Sequence, residues 1–273
     1  MSNARNSTLS QPPFGACAPN VWQRAVIAAA HGSGLKRGTF RPMMSRLVNL
    51  FGAGPIDTFY QGASFRLHHQ ASGTERGALF NPDYNLPELD FLREHTPPGG
   101  VFLDIGANVG TYAVALAVHV GPTGQVIAIE PHSVSSARLA FNAKASQLSN
   151  LTLIEAAAGD ADGELRIATD EQNLGASHVT TTGGVNVPSY RLLTILKNQS
   201  VVHVDALKID VEGYEDRVLI CFFRDAPKTL WPRAVAIEHL ERDGWRHDCI
   251  ADMTARGYAV AGRTRSNTLL VRR

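Results

Sequence analysis

Acidic side chains stand at the ends of several apolar runs in this 273-residue chain. Asp104 closes Val101-Phe-Leu-Asp104, Glu130 closes Gln125-Val-Ile-Ala-Ile-Glu130, Asp210 and Glu212 follow Ala206-Leu-Lys-Ile, and Glu238-His239 follow Ala234-Val-Ala-Ile. Carboxylates and imidazoles so placed can hold cations, accept bonds from hydroxyls or take up protons. Asp210 and Glu212 lie two apart on a segment read as extended, so both face one side and either can accept an alcohol's proton. His239, with an unperturbed pKa near ~6.5, is the other candidate base. The plainer roles are that Glu212 braces Gly213 and the next helix, and that His239 is a surface histidine. A divalent metal on Asp210 and Glu238 would acidify an acceptor hydroxyl. No dedicated ligand set accompanies that pair, and His68-His69 reads as part of a solvent-facing hairpin.

The segment after Asp104, Ile-Gly106-Ala-Asn108-Val-Gly110, reads as a tight turn between a buried strand and a helix, because the two glycines permit positive φ and close backbone approach. Dinucleotide folds place glycine where Asp104 stands, so that a pyrophosphate can rest on the helix N-terminus. A carboxylate there repels phosphates and attracts a ligand carrying ammonium and sulfonium centres. S-adenosylmethionine is such a ligand. Glu130, 26 residues beyond Asp104, is placed for ribose hydroxyls; alone it would serve NAD equally, but together with Asp104 it discriminates. Asn108 lies within the turn, and Ala158, at the end of the third strand, is expected near the adenine. An NAD-dependent oxidoreductase is disfavoured by Asp104 and by the missing G-x-G-x-x-G. A non-catalytic protein that kept the fold is the third reading.

These residues need strands and helices in alternation, and the chain supplies them. Residues 1–19 are polar and proline-containing and are expected to lack fixed structure. Short helices are expected at 21–31 and 42–51, then a β-hairpin over 56–80 with a polar turn at Ser72-Gly-Thr74, and a helix over 85–94. Main-sheet strands are expected at 101–105, 125–130, 151–158, 204–213 and 234–239, with helices over 112–120, from Ser133 to about 147, 190–197, 214–223 and 246–256. An insertion follows the third strand, with Asn173 and Ser177 as candidate acceptor contacts, Glu238 as another, and a glycine-rich hairpin at Gly183-Gly184. A terminal hairpin over 258–261 and 268–271 closes a doubly wound α/β sheet with a reversed last strand.

Hydrophobic content of 44% over 273 residues supports a sizeable core. No acidic residue precedes Asp57, so residues 1–56 carry +6 and the remainder −5. That division predicts an N-terminal extension over 1–55 that meets an acidic partner or surface, and a catalytic domain over 56–273. Three scattered cysteines, Cys17, Cys221 and Cys249, suggest neither a disulfide framework nor a zinc cluster. A reducing, cytoplasmic setting is expected, with no transmembrane segment and no nucleic-acid partner.

Asp104-Ile-Gly-Ala-Asn-Val-Gly110, the strand end Ile129-Glu-Pro131, Asn173-Leu-Gly-Ala-Ser177 and, most specifically, Leu207-Lys-Ile-Asp-Val-Glu-Gly213 together resemble the FkbM family of S-adenosylmethionine-dependent methyltransferases. The resemblance covers about residues 56–273. It implies the Rossmann-like class I methyltransferase fold and, commonly, methylation of a hydroxyl on a sugar or natural-product scaffold. One departure stands out. Many members carry Thr-Leu-Asp ahead of the fourth strand, and Arg191-Leu-Leu-Thr-Ile-Leu196 lacks the aspartate, which predicts a different anchor for that loop.

Overall fold

The computed structural model describes residues 11–168, 178–180 and 183–273. The chain opens with α1 (Val21–His31), α2 (Arg41–Leu50), a two-stranded hairpin β1 (Ile56–Tyr60) and β2 (Ala63–Leu67), then α3 (Gly73–Phe80) and α4 (Leu86–His95). The alternating part follows as β3 (Val101–Ile105), α5 (Ala113–Val120), β4 (Gln125–Ile129), α6 (Ser133–Ala145) and β5 (Leu151–Ile154). Four short strands come next, β6 (Ala157–Gly159), β7 (Gly163–Ala168), β8 (His178–Val179) and β9 (Val185–Arg191). The last elements are α7 (Leu192–Asn198), β10 (Ala206–Ile209), α8 (Glu215–Asp225), β11 (Ala234–Glu238), α9 (Cys249–Ala255), β12 (Tyr258–Arg263) and β13 (Asn267–Arg272).

The main sheet runs β12-β13-β11-β10-β3-β4-β5. Strands β11, β10, β3, β4 and β5 are parallel, and β13 is the reversed strand beside β11. Strand order reverses between β3 and β10, which puts a crevice at their carboxyl ends, the usual ligand position in such sheets. Burial on both faces explains why the strands read as unbroken apolar runs. Phe102, Val126, Ala128, Ala206 and Ala236 pack into one core with α5 and the N-terminal elements; Leu103, Ile105, Ile127, Leu207 and Ile237 pack into a second with α7, α8 and α9.

The N-terminal elements are stitched down by buried charge. Asp57 and Arg66 pair at 2.7 Å, both almost fully buried. Asp57 also accepts from the amides of Gly15 and Cys17, while Arg66 donates to the carbonyls of Pro12 and Pro13. Residues 12–17 are therefore held in place, contrary to the expectation from their polarity; the anchors lie some 40 to 50 positions away and leave no local pattern. Glu75 and Arg138, at 2.6 Å, tie α3 to α6. Losing one partner of such a buried pair typically costs about 3–5 kcal/mol.

Four further expectations change. Ser72-Gly-Thr74 is a helix start rather than a hairpin turn, because Ser72 Oγ accepts from the Glu75 amide and caps α3. His132, not Ser133, caps α6. His69 is fully buried, its Nδ1 2.7 Å from Ser45 Oγ, so the histidine pair is not a solvent-facing one. The third strand also divides: β5 stays in the main sheet, and β6 joins a second sheet of order β6-β9-β7-β8. Among the described residues no helix is long and apolar enough to cross a membrane, and all three cysteines are free.

Candidate functional site

A single cavity opens at the carboxyl ends of β3, β4 and β10. At one end the turn after β3 supplies Gly106, Ala107 and Asn108. Gly106 has φ 78°, and a Cβ there would overlap the Asp210 carbonyl, so only glycine lets the two strand ends approach this closely. A Cβ on Gly110 would lie 2.9 Å from Val114 Cγ2 and 3.0 Å from Leu139 Cγ, which fixes how α5 meets α6. Asp104 is wholly buried and its Oδ2 accepts from the Ala113 amide at 2.8 Å, capping α5. Glu130 accepts from the amides of Asn108 at 2.8 Å and His132 at 2.9 Å, bracing the turn against β4. Ile129, Pro131, Ala157, Ala158 and Ile167 form an apolar slot beside it.

This end fits S-adenosylmethionine, the cofactor expected from the sequence. Asn108 Oδ1 is buried with no hydrogen-bond partner, so a donor is wanted there. Burial pushes the Asp104 carboxyl up to about 7, with Lys208 and the Ala113 amide opposing. Burial likewise pushes Glu130 up to about 7. In their ionised forms these carboxylates suit an ammonium and ribose hydroxyls, and the slot suits adenine.

The other end is built from distant elements. Thr74, Tyr84 and Asn85 come from α3 and the turn before α4, Ser266 and Asn267 from the last hairpin, and Lys208, Asp210, Val211, Glu212 and Tyr214 from β10 and its exit. Tyr84 sits against Gly77, where a Cβ would come 2.6 Å from the ring Cζ. Lys208 pairs in register with Asp104 and is fully buried. Its Nζ donates to the Ile209 carbonyl at 3.0 Å and to Asp210 Oδ2 at 3.2 Å, and stands 5.5 Å from the Tyr112 ring centroid. A buried ammonium thus sits between two carboxylates at the point where the strand order reverses.

Asp210 and Glu212 both face the cavity, but through a turn and not through strand alternation. Glu212 has φ 52° and Gly213 φ 88°, so the chain bends where the sequence suggests extension. Burial, then the charge of Asp210, pushes Glu212 up to about 8. Glu238 Oε1 accepts from the Leu240 amide at 2.7 Å, Oε2 is buried without a partner, and burial followed by Asp210 pushes this carboxyl up to about 7. Asp210, Glu215 and Glu238 each bring an oxygen to within 4.8 Å of the others. Glu215 already accepts from the Val211 amide and from Trp245 Nε1, each at 2.7 Å.

Of the residues singled out from sequence, Asp104, Gly106, Asn108, Glu130, Ala158, Asp210 and Glu212 meet in this cavity. Gly110 and Glu238 are not among its lining residues. His239 does not line it; Nδ1 is 3.0 Å from Thr268 Oγ1, and burial lowers its basicity. Asn173 and Ser177 lie outside the described residues. Sequence reading passed over Lys208, although one lysine inside an apolar strand was a usable signal; Tyr84, Asn85, Ser266 and Asn267 left none. The missing aspartate before the fourth strand is replaced from the turn ahead of β7: Asp162 accepts from the Arg191 amide at 2.7 Å and from Thr194 Oγ1 at 2.9 Å, capping α7.

Residues 104–258, more than half of the chain, match the model of the Methyltransferase FkbM domain. No curated protein matches the chain. Among solved structures, an rRNA methylase from Streptococcus thermophilus is similar at 12% identity, covering 68% of this chain and 92% of that one with a TM-score of 0.40. A precorrin-6y C5,15-methyltransferase from Geobacter metallireducens GS-15 shares 13% identity over 70% of this chain and 88% of its own, TM-score 0.42. The Pyrococcus abyssi tRNA (uracil-54, C5)-methyltransferase in complex with S-adenosyl-L-homocysteine shares 12% identity over 81% of this chain and 44% of its own, TM-score 0.44.

Proposed function

The chain belongs to the FkbM family of S-adenosylmethionine-dependent methyltransferases, and on that premise we propose that it methylates a hydroxyl of a small sugar-like or natural-product acceptor, with Asp210 as the proton acceptor. The observation that carries this reading is the Lys208–Asp210 contact of 3.2 Å on the cavity wall. When bound, the cofactor supplies the electrophilic methyl on a sulfonium. The chain's own residues must align the acceptor and take its proton, because a neutral alcohol is a poor nucleophile.

Asp210 suits proton transfer because its carboxylate is partly exposed to the cavity while Lys208, buried behind it, fixes one oxygen and balances its charge. Glu212, pushed up to about 8, holds a proton at neutral pH and so serves as a donor to an acceptor oxygen. Asn267 Oδ1, buried and unpartnered on a residue that lines the same end, offers an acceptor position, which favours a hydroxyl-bearing ligand over an apolar one. Tyr112 and Tyr84 provide apolar walls that exclude water from the proton transfer.

Incubation of the full chain with S-adenosylmethionine labelled in the methyl group, together with a small-molecule fraction and an RNA fraction of a cell extract, tests the proposal. Label is expected in small hydroxylated products, stable to mild base as an ether. Label confined to RNA contradicts the acceptor class. No label in either fraction, with cofactor bound, favours the non-catalytic reading.

A further inference from the structure

The acid-lined cavity has a basic rim whose charges are unanswered. Arg41, at the start of α2, lies with Cζ 5.2 Å from the ring centroid of Tyr84, a cavity-wall residue. Its Nε donates to the Lys36 carbonyl at 2.9 Å, which fixes the guanidinium and leaves its two amino groups available. Arg265 is exposed at the tip of the last hairpin, next to Ser266, another wall residue. The neighbouring carboxylates are committed elsewhere. Asp83 pairs with Lys36 at 2.7 Å, and Glu88 accepts from Thr264 Oγ1 and, at 3.1 Å, from Asn267 Nδ2. Among the described residues neither Arg41 nor Arg265 has a carboxylate within ion-pair distance. Burial lowers the basicity of Arg41, Tyr84 opposes that shift, and Arg265 adds a smaller lowering.

Two guanidinium groups, each beside a wall residue of one cavity and neither paired with a carboxylate, offer an anion at that mouth two unanswered positive charges. Guanidinium forks are matched to phosphate and carboxylate oxygens. We propose that the acceptor carries one anionic group, a phosphate or a carboxylate, which Arg41 and Arg265 hold at the rim while a hydroxyl of the same molecule reaches Asp210. This rests on the methyltransferase reading above and narrows its substrate. It also gives the acid-free N-terminal stretch a role: its α2 delivers one half of the clamp. A single anionic group fits better than a polyanion, because behind the rim the Asp210 carboxylate faces the cavity and would repel further phosphates.

The test uses the full chain saturated with S-adenosylhomocysteine and follows binding of four probes by calorimetry: inorganic phosphate, glucose 1-phosphate, glucuronate and glucose. At least one sugar anion is expected to bind roughly tenfold or more tightly than glucose, since a charge-assisted contact is worth that much. The phosphate and carboxylate probes separate the two anion types. Arg41→Gln and Arg265→Gln should each bring the anion down towards glucose while S-adenosylhomocysteine affinity stays unchanged. Equal binding of glucose and both anions, no binding of any anionic probe, or a preference that survives both substitutions overturns the inference and leaves the methyltransferase reading standing. A tRNA transcript that binds far more tightly than every sugar, with a steep salt dependence removed by the same substitutions, overturns it in favour of a polyanion. Failure of S-adenosylhomocysteine itself to bind the wild type strikes the underlying reading instead.

Discussion

The two ends of the cavity are assembled differently. The polar part of the cofactor end is local: one strand-turn-helix unit, residues 101–120, and the end of the adjacent β4 supply it, the glycines let backbone approach backbone, and β6 and β7 add only apolar residues. Its carboxylates are tied to amides, Asp104 to Ala113 and Glu130 to Asn108 and His132. The acceptor end draws on the turn before α4, the exit of β10 and the last hairpin, and each end retains one unpartnered oxygen, Asn108 Oδ1 at the cofactor end and Asn267 Oδ1 here. A site held by one contiguous stretch suits a ligand that never changes. A site drawn from several separate elements suits a ligand that differs from one enzyme to the next.

Substitutions should therefore separate by end. The largest effect is expected for Asp210→Asn, which keeps size and removes basicity: turnover should fall by about 10²- to 10⁴-fold while S-adenosylhomocysteine affinity, read by calorimetry, changes little. Comparable losses in both quantities would mean that the two ends are not separable. Glu130→Ala should show the converse, weakening cofactor binding by about ten- to a hundredfold, as loss of charge-assisted bonds implies. Unaltered affinity would remove Glu130 from the cofactor end.

A pH titration sharpens the same division. Asp104 and Glu130 are both pushed up to about 7 by burial, so their ionised fractions fall as pH drops through 7. Binding of S-adenosylmethionine needs the ionised forms; affinity should be full at pH 8 and about tenfold weaker per carboxylate by pH 6. A flat profile would show that neither carboxylate feels the ligand's charge. The smallest effect is expected for His239→Ala. Its ring bonds Thr268 and does not line the cavity, so turnover should stay within about twofold of wild type, the range of a peripheral substitution. A hundredfold loss would make His239 the base in place of Asp210.

The same contrast governs what could be read from the residues alone. The cofactor turn was legible because its strand, glycines and helix are contiguous, and the reversed β13 followed from the last apolar stretches. Lys208 was visible as an anomaly, a charge inside Ala206-Leu-Lys-Ile, yet its meaning depends on Asp104 across the sheet, 104 residues earlier. Tyr84 and Ser266 carry no pattern, since tertiary folding alone brings α4 and the last hairpin together. The bend between Asp210 and Glu212 was hidden by Val211, whose type suits a strand, whereas Glu212 adopts a left-handed conformation. The basic N-terminal stretch was separable by charge but not by structure: Ala30, Met44 and Val48 are buried in the core shared with α5. Removing residues 1–50 would thus expose apolar surface as well as remove charge.

The central claim, that the crevice between β3 and β10 is an S-adenosylmethionine site, is tested most directly by calorimetric titration of the full chain at pH 8 with S-adenosylhomocysteine and, separately, with NAD. One molar equivalent of S-adenosylhomocysteine is expected to bind, Asp104→Asn should weaken it by about tenfold or more, and NAD should give no heat. Saturable NAD binding with no response to S-adenosylhomocysteine would contradict the account.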